Sequence, residues 1–382
     1  MTIGISPDGR RSRGGAPARD LGVTLGVEEE FLLVDAESRR PVGRADDVLA
    51  TASAQCPAGT ELHRELLTSQ VEAASGVCTE IPGLADQVTK ARQTLARAAA
   101  EHGLLLVSTG TPPLPAAEPV ITSGPRFARI AEMYATVATT YEVCGCHVHV
   151  GVADRDTAVA VMNHLRPWLP TLLAISANSP FSRERDSGFA SWRMMEQARF
   201  PGAGVPPWFA DAAAYDREVD RLADCGVIVD SGMSFWLIRP SRHLPTVEFR
   251  VADALATTGE TMLQAALSRA LVGTALAELA AGREGPRIDD QTCAAAVWSA
   301  ARYGLAGPAV DPLQGRTIPA VDQVEELVRR VRPSLEQRGD LAFVRQELAK
   351  LYRHGTGAAR QLKAAAEGLG AVVDLLATGA TS

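Results

Sequence analysis

Alternation of apolar and polar side chains marks the strands of this chain. Residues 24–35 run Thr-Leu-Gly-Val-Glu-Glu-Glu-Phe-Leu-Leu-Val-Asp, a strand that ends in a turn. Further strands are expected over residues 70–74, 104–108, 144–152, 235–239 and 246–252. Apolar residues recur at helical spacing through Leu84, Val88, Ala91, Leu95 and Ala98, and Gly103 supplies a stop. Helix is also expected over residues 126–140, 154–176 and 211–224, the second of these capped at Asp154 or Asp156 and disturbed at Pro167. Residues 110–125 read as one long loop, and residues 178–210 as another, rich in arginine and aromatic side chains. A loop of that length inside a compact domain is usually functional. From residue 258 onward the pattern is mostly helical, with breaks near 282–288, 304–317, 332–334 and 354–357.

Strands cluster in the first two thirds and do not alternate regularly with helices. That predicts an α+β fold, an antiparallel sheet backed by helices, rather than a doubly wound parallel sheet. Residues 1–20 carry no periodicity and read as a disordered tail. Residues 21–382 read as a single domain whose part from about residue 258 is mostly helical.

Composition narrows the function. Of the 382 residues 46% are hydrophobic and 22% charged, and the formal net charge is −7 with no basic stripe, so nucleic acid is not an expected partner. Lysine occurs only at positions 90, 350 and 363, so recognition of phosphate or carboxylate falls to arginine and backbone amides. The six cysteines form no CxxC pair, and Cys144 and Cys146 adjoin poorly for a disulfide. No apolar leader and no run of about 20 apolar residues is present, which excludes a membrane span and points to the cytoplasm.

Four motifs carry chemistry. In a strand Glu28 and Glu30 share one face and Glu29 takes the other, and like charges so close repel unless a cation bridges them. Glu65 and Glu72 can meet at one site only if a turn or bulge separates them, because their spacing is odd. His147 and His149 share a face, a good chelating geometry. Glu248 and Arg250 share a face opposite Val247, Phe249 and Val251; they form either a plain ion pair or a metal ligand beside a cation that stabilises developing negative charge. The repeated design is a wet, metal-lined sheet face and a dry face packed on helices. Oxygen-dominated ligands favour Mg²⁺ or Mn²⁺ over zinc. Magnesium beside arginine suggests phosphate handling, yet there is no GxxxxGK[ST] and no GxSxG.

The stretches LGVEEEFLLVD, ELLTSQVEAASG, CGCHVHVGV and TVEFRVAD, in this order, resemble the glutamate–cysteine ligase type 2 family, also called carboxylate–amine ligases. ASWRM at 190–194 and FPGAGVPPWF at 200–209 share the likeness, which covers roughly residues 22–280 directly. The resemblance implies a glutamine-synthetase-like curved antiparallel sheet with helices on its outer face. It also implies ATP as co-substrate with Mg²⁺ or Mn²⁺, a glutamate-like acid as donor, and an amine as acceptor joined through an acyl phosphate. Carried over, Glu28, Glu30, Glu72, His147 and Glu248 match metal-binding positions, and Glu65 a further acidic one. Arg250 matches the arginine near the transferred phosphoryl group. His149 is expected in a catalytic, site-orienting role. Arg193 is a candidate for gripping a substrate carboxylate, and Trp192 for shaping the same pocket. A homodimer or larger assembly would suit the alanine-rich helices. Two other readings compete: a metal-dependent amidohydrolase, which would need further ligands such as His243, and a non-catalytic relative that binds nucleotide or amino acid.

Overall fold

The computed structural model describes residues 22–381, and the tail expected over residues 1–20 lies outside them. The first half of the chain runs β1 (Leu25–Asp35), α1 (Ala45–Ser53), β2 (Glu61–Arg64), β3 (Gln70–Ala74), α2 (Ile81–Glu101), β4 (Leu104–Val107), α3 (Pro125–Tyr134), α4 (Thr136–Thr139) and β5 (Gly145–Gly151). The middle adds α5 (Arg155–Leu165), α6 (Leu169–Ser176), β6 (Phe181–Ser182), β7 (Arg185–Asp186), α7 (Trp192–Gln197), α8 (Ala212–Asp224), β8 (Ile238–Pro240) and β9 (Thr246–Asp253). The last part holds α9 (Thr258–Ala280), α10 (Asp290–Tyr303), β10 (Pro308–Asp311), β11 (Arg316–Pro319), α11 (Ala320–Arg338), α12 (Leu341–His354), α13 (Gly357–Ala364) and α14 (Leu369–Ala380).

One antiparallel sheet organises these elements, in the order β2-β3-β1-β5-β9-β8. Strand β1 is long enough to serve three partners. Its edge facing β3 pairs over residues 28–32, while β5 takes the N-terminal half of the other edge and β4 the C-terminal half. Helices α2, α5, α6 and α9 pack on one face, and the main apolar cluster lies between them and the sheet. Alternation along the strands therefore sends Val148, Val247 and Phe249 into the core and the charged residues to the other face.

Glu29 is the exception that proves structural. It points into the helix side, where Arg92 of α2 grips it with two bonds of 2.8 and 2.6 Å and Thr261 of α9 adds a third of 2.6 Å. Arg92 also donates to the carbonyl of Leu255 at 2.9 Å. Sheet, α2 and α9 are thus tied by one buried ion pair.

Several sequence expectations shift. Helix 126–140 divides into α3 and α4 because Ala135 turns to φ 45°. The stretch 178–210 is not one loop but contains the β6–β7 hairpin and α7. The strand expected at 235–239 begins only at Ile238, and the Leu237 N–H bonds the Gly204 carbonyl instead. The break near 304–317 holds the β10–β11 hairpin. The break at 332–334 is absent: α11 continues through Pro333 and ends at Gly339, φ 75°. A proline inside a helix costs about 3 kcal/mol, but Val324, Leu327, Val331 and Leu335 bury one continuous face across it. Asp154 caps α5 as expected, accepting from the Thr157 N–H, and a 3₁₀ turn at Arg166–Trp168 marks the proline disturbance.

Replacing Arg92 with Met leaves Glu29 charged and buried, a loss on the order of 3–5 kcal/mol. Urea unfolding of Arg92→Met should show that loss, and the double replacement Glu29→Met with Arg92→Met should recover most of it. A single-variant loss under about 1 kcal/mol would mean the pair does not hold the layers together.

Candidate active site

Register builds the site. Across the sheet Glu72 lies opposite Glu30, Glu28 opposite His147, and His149 opposite Glu248, which in turn faces Arg239. Cross-strand neighbours on one face sit only a few ångströms apart, so strands β3, β1, β5, β9 and β8 deliver one continuous row of ionisable groups. Glu65 joins the row from the turn after β2, which resolves the odd spacing between Glu65 and Glu72. All of these carboxylates are buried.

Three groups of ligand atoms converge, each with its atoms within 4.8 Å of one another: Glu28, Glu72 and His147; Glu28, His149 and Glu248; and Glu30, Glu65 and Glu72. Glu72 makes the strongest case for a cation. Its side chain is wholly buried and, among the described residues, neither carboxylate oxygen has a hydrogen-bond partner. Burial first, then the charges of Glu28 and Glu65, push its acid well above the usual carboxylate range. Burial and the neighbouring Glu30 likewise push Glu65 up to about 7. Two acids that resist ionisation beside other carboxylates are what a site made for divalent metal looks like without its charge. The residues present therefore fit such an ion.

The two histidines differ. Burial, reinforced by the Arg250 charge, lowers His147 to about 4, so its imidazole is neutral and offers a lone pair. His147 Nδ1 lies 3.2 Å from Glu28. Burial alone would lower His149 as well, but Glu28 at 3.2 Å from its Nε2 holds it above its ordinary value. Its Nδ1 meets Thr246 Oγ1 at 2.9 Å. This geometry brings His149 together with Glu28 and Glu248, three side chains that could hold a metal ion.

Glu248 is gripped on both sides. Arg239 binds it with bonds of 2.7 and 3.0 Å, and Arg250 pairs with its other flank. Those charges hold the carboxyl far below the usual range against its burial. The ion pair expected between Glu248 and Arg250 is thus present, and Glu248 also belongs to a group that could hold a metal ion. Arg239 was not singled out in the sequence; its place beside Glu248 depends on the β8–β9 register, which only the turn between them sets.

A cavity opens beside this row, lined by Glu30, Glu65, His147, Arg193 and Arg250 on one side and by Tyr141, Phe200 and Phe235 on the other. Arg193 reaches it from α7. Its guanidinium donates to the carbonyl of Arg250 at 3.1 Å and lies 3.8 Å from Asp253. It passes over Gly145, where a Cβ would come within 2.5 Å of its Nη2. Asp253, fully buried, accepts from Ser179, Ser191 and the Asn178 N–H and so anchors the α7 segment to the end of β9. Trp192 does not line the cavity. Its indole N–H donates to Glu196 at 2.8 Å and its ring packs on Phe189. His243 is exposed in the β8–β9 connection, so the extra ligand an amidohydrolase reading asked of it is not at the site.

Comparison with known proteins agrees with this geometry. The sequence model of glutamate–cysteine ligase family 2 matches residues 24–375. A protein of Saccharopolyspora erythraea provisionally named glutamate–cysteine ligase 2-2 is 61% identical over 350 residues, 91% of this chain and 89% of its own. One of Nocardia farcinica, provisionally named glutamate–cysteine ligase 2-1, is 46% identical over 341 residues, 89% of this chain and 88% of its own. Among solved structures, the Francisella tularensis glutamate–cysteine ligase in complex with AMP superposes with a TM-score of 0.71 at 12% identity, covering 94% of this chain and 88% of that one. A bifunctional glutathione synthetase from Pasteurella multocida gives 0.68 at 14% identity, covering 94% and 52%. At such identities the two structures speak for the fold, an antiparallel sheet with helices against it.

The raised acids set a pH dependence. A carboxyl whose pKa is higher folded than unfolded keeps a proton that the unfolded chain has lost, so stability falls as pH rises above about 4.5 towards and past 7. The metal-free protein should therefore melt at a lower temperature at pH 8 than at pH 6. Magnesium should restore more at pH 8, because the ion replaces the protons. A melting temperature that rises from pH 6 to 8 without metal would contradict the protonated acids.

Proposed function

The chain belongs to glutamate–cysteine ligase family 2, and from that premise we propose how its residues divide the work of an ATP-dependent carboxylate–amine ligase. Such a ligase uses ATP and divalent metal. The donor is proposed to be glutamate, activated at its γ-carboxylate, and the metal Mg²⁺ or Mn²⁺. A carboxylate oxygen attacks the γ-phosphorus and ADP leaves. The amine nitrogen then attacks the acyl carbon, loses a proton, and expels phosphate, leaving the γ-glutamyl amide.

Glu28, Glu30, Glu65, Glu72, His147 and Glu248 are the proposed metal ligands, with His149 joining them. Bound there, divalent ions would neutralise the β- and γ-phosphate oxygens during transfer. The observation that carries the assignment is Glu72, wholly buried with both oxygens unbonded among the described residues. Mixed carboxylate and imidazole donors suit Mn²⁺ as well as Mg²⁺. Arg250 is the proposed catalytic cation. Glu248 fixes one arm of its guanidinium, while its Nε–H, unbonded among the described residues, is ready for a phosphoryl oxygen. Arg193, which lines the same cavity, is proposed to take the α-carboxylate of the substrate.

All the core carboxylates and Arg250 are in place, which argues against a non-catalytic relative. Among the described residues no helix is long and apolar enough to cross a membrane. All six cysteines are free, which suits the reducing, ATP-supplied cytoplasm we assign to the enzyme. A single catalytic domain over residues 21–382, able to self-associate through its alanine-rich helices, completes the proposal.

Glu72→Gln should abolish turnover and weaken metal binding by calorimetry; full activity at ordinary magnesium would remove Glu72 from the site. Arg250→Ala should lower kcat by roughly 100-fold or more with a smaller effect on substrate affinity, because its charge matters most in the transition state. The deciding assay is ADP release with Mg²⁺, ATP and glutamate against a panel of amines, cysteine included. Amine-dependent ADP release with an amide product supports the ligase reading and identifies the acceptor. Silence across the panel, with ATP bound, would turn the search to another donor acid.

A further inference from the structure

Gln197 lies one helical turn after Arg193 in α7, so the two side chains leave the same face of that helix. Both are buried, at 2% and 3% exposure, and both line the cavity beside Glu30 and Arg250. The Gln197 amide is fixed in orientation. Its Nε2 donates to the carbonyl of Phe235 at 3.2 Å, and a carbonyl can only accept, so the oxygen must be the other end. That oxygen, Oε1, is buried and without a hydrogen-bond partner among the described residues. The aromatic cluster keeps it there: Phe235 stacks on Phe200 with ring centroids 4.3 Å apart, and Tyr141 packs edge-on against both. The Phe200 N–H in turn bonds the Gln197 carbonyl at 3.1 Å.

The same cavity also holds unbonded donors, since Arg193 Nε and Arg250 Nε are both buried without partners among the described residues. Unsatisfied buried polar groups are costly and rare. A ligand that relieves all three must offer an anion to the arginines and a hydrogen-bond donor, such as an ammonium N–H, to Gln197. One face of α7 thus supplies a cationic donor at Arg193 and a neutral acceptor at Gln197, which is the complement of a carboxylate and an ammonium on neighbouring atoms.

We propose that Gln197 is a specificity-determining residue that reads the α-ammonium of the donor acid, so that the enzyme requires an α-amino acid rather than a plain dicarboxylate. The inference rests on the reading of a glutamate-type donor. The α-carboxylate engages Arg193, the α-ammonium donates to Gln197 Oε1, and the side chain runs towards Arg250 and the carboxylate row, where its far carboxylate is activated. The aromatic wall excludes water from this end, so a missing ammonium is not replaced by solvent at no cost.

The test uses the full-length enzyme with ATP, Mg²⁺ and an amine that supports ADP release with glutamate. Glutarate, which lacks the ammonium, should be used with kcat/KM roughly 10- to 100-fold below glutamate, the span expected for a buried hydrogen bond to a charged group. Gln197→Met keeps the bulk and removes the acceptor. It should lower kcat/KM for glutamate by a similar factor, mostly through KM, and leave glutarate almost unchanged, so that the preference collapses. A merely structural Gln197 would lower both acids alike and leave their ratio intact, and that result overturns the inference. Equal use of the two acids by the unaltered enzyme overturns it without any variant. Glutamate-dependent ligation in either of those cases leaves the ligase reading standing, whereas no ligation of glutamate with any amine defeats that reading and this inference with it.

Discussion

Mutual repulsion among buried carboxylates is the constraint around which this molecule is arranged. Glu28, Glu30, Glu65, Glu72 and Glu248 are brought to one sheet face and out of water. Positive charge tempers part of the row: Arg239 and Arg250 hold Glu248, and His149 faces Glu28. At Glu72 no such partner is bonded among the described residues, and the acid is driven towards its protonated form. A site that lacks one or two positive charges at its centre, yet has them at its rim, is matched to divalent ions and to the phosphates those ions carry.

Keeping that row in place requires rigid support from behind. The Glu29–Arg92 pair, with Thr261, ties the middle of β1 to α2 and α9. On the far side Asp253 gathers Ser179, Ser191 and Asn178, and through them sets where α7 begins. Gly145 serves both needs at once: its N–H bonds Glu30 at 2.6 Å, and its lack of a side chain lets the Arg193 guanidinium cross above it. The carboxylate row and the cavity are therefore one mechanical unit, so the proposed activating and recognising groups would keep a fixed separation.

The division of labour in this unit follows polarity. Charged groups with partners on neighbouring strands form the end to which phosphoryl transfer is proposed to belong. Groups on α7, surrounded by Phe200, Phe235 and Tyr141, form the end suited to recognition, where an unpaired hydrogen-bonding group discriminates most strongly because water cannot replace the missing partner.

Much of this was legible in the residues themselves. Period-two alternation assigned Glu28, Glu30, His147, Glu248 and Arg250 to one face, and Glu29 to the other, because a strand permits nothing else. Family likeness named the chemistry, and the helix signal at Asp154 marked a real cap. Local sequence could not say which strands adjoin. The register that sets Glu72 against Glu30 comes from long-range pairing, and the one that sets Arg239 against Glu248 from the β8–β9 turn. Nor could it show that α7 interrupts the 178–210 stretch, that Trp192 turns away while Gln197 turns in, or that α11 runs through Pro333. In each of these the deciding energy is burial against distant parts of the chain. Patterning along the chain determined which side chains share a face; tertiary packing decided which of them meet.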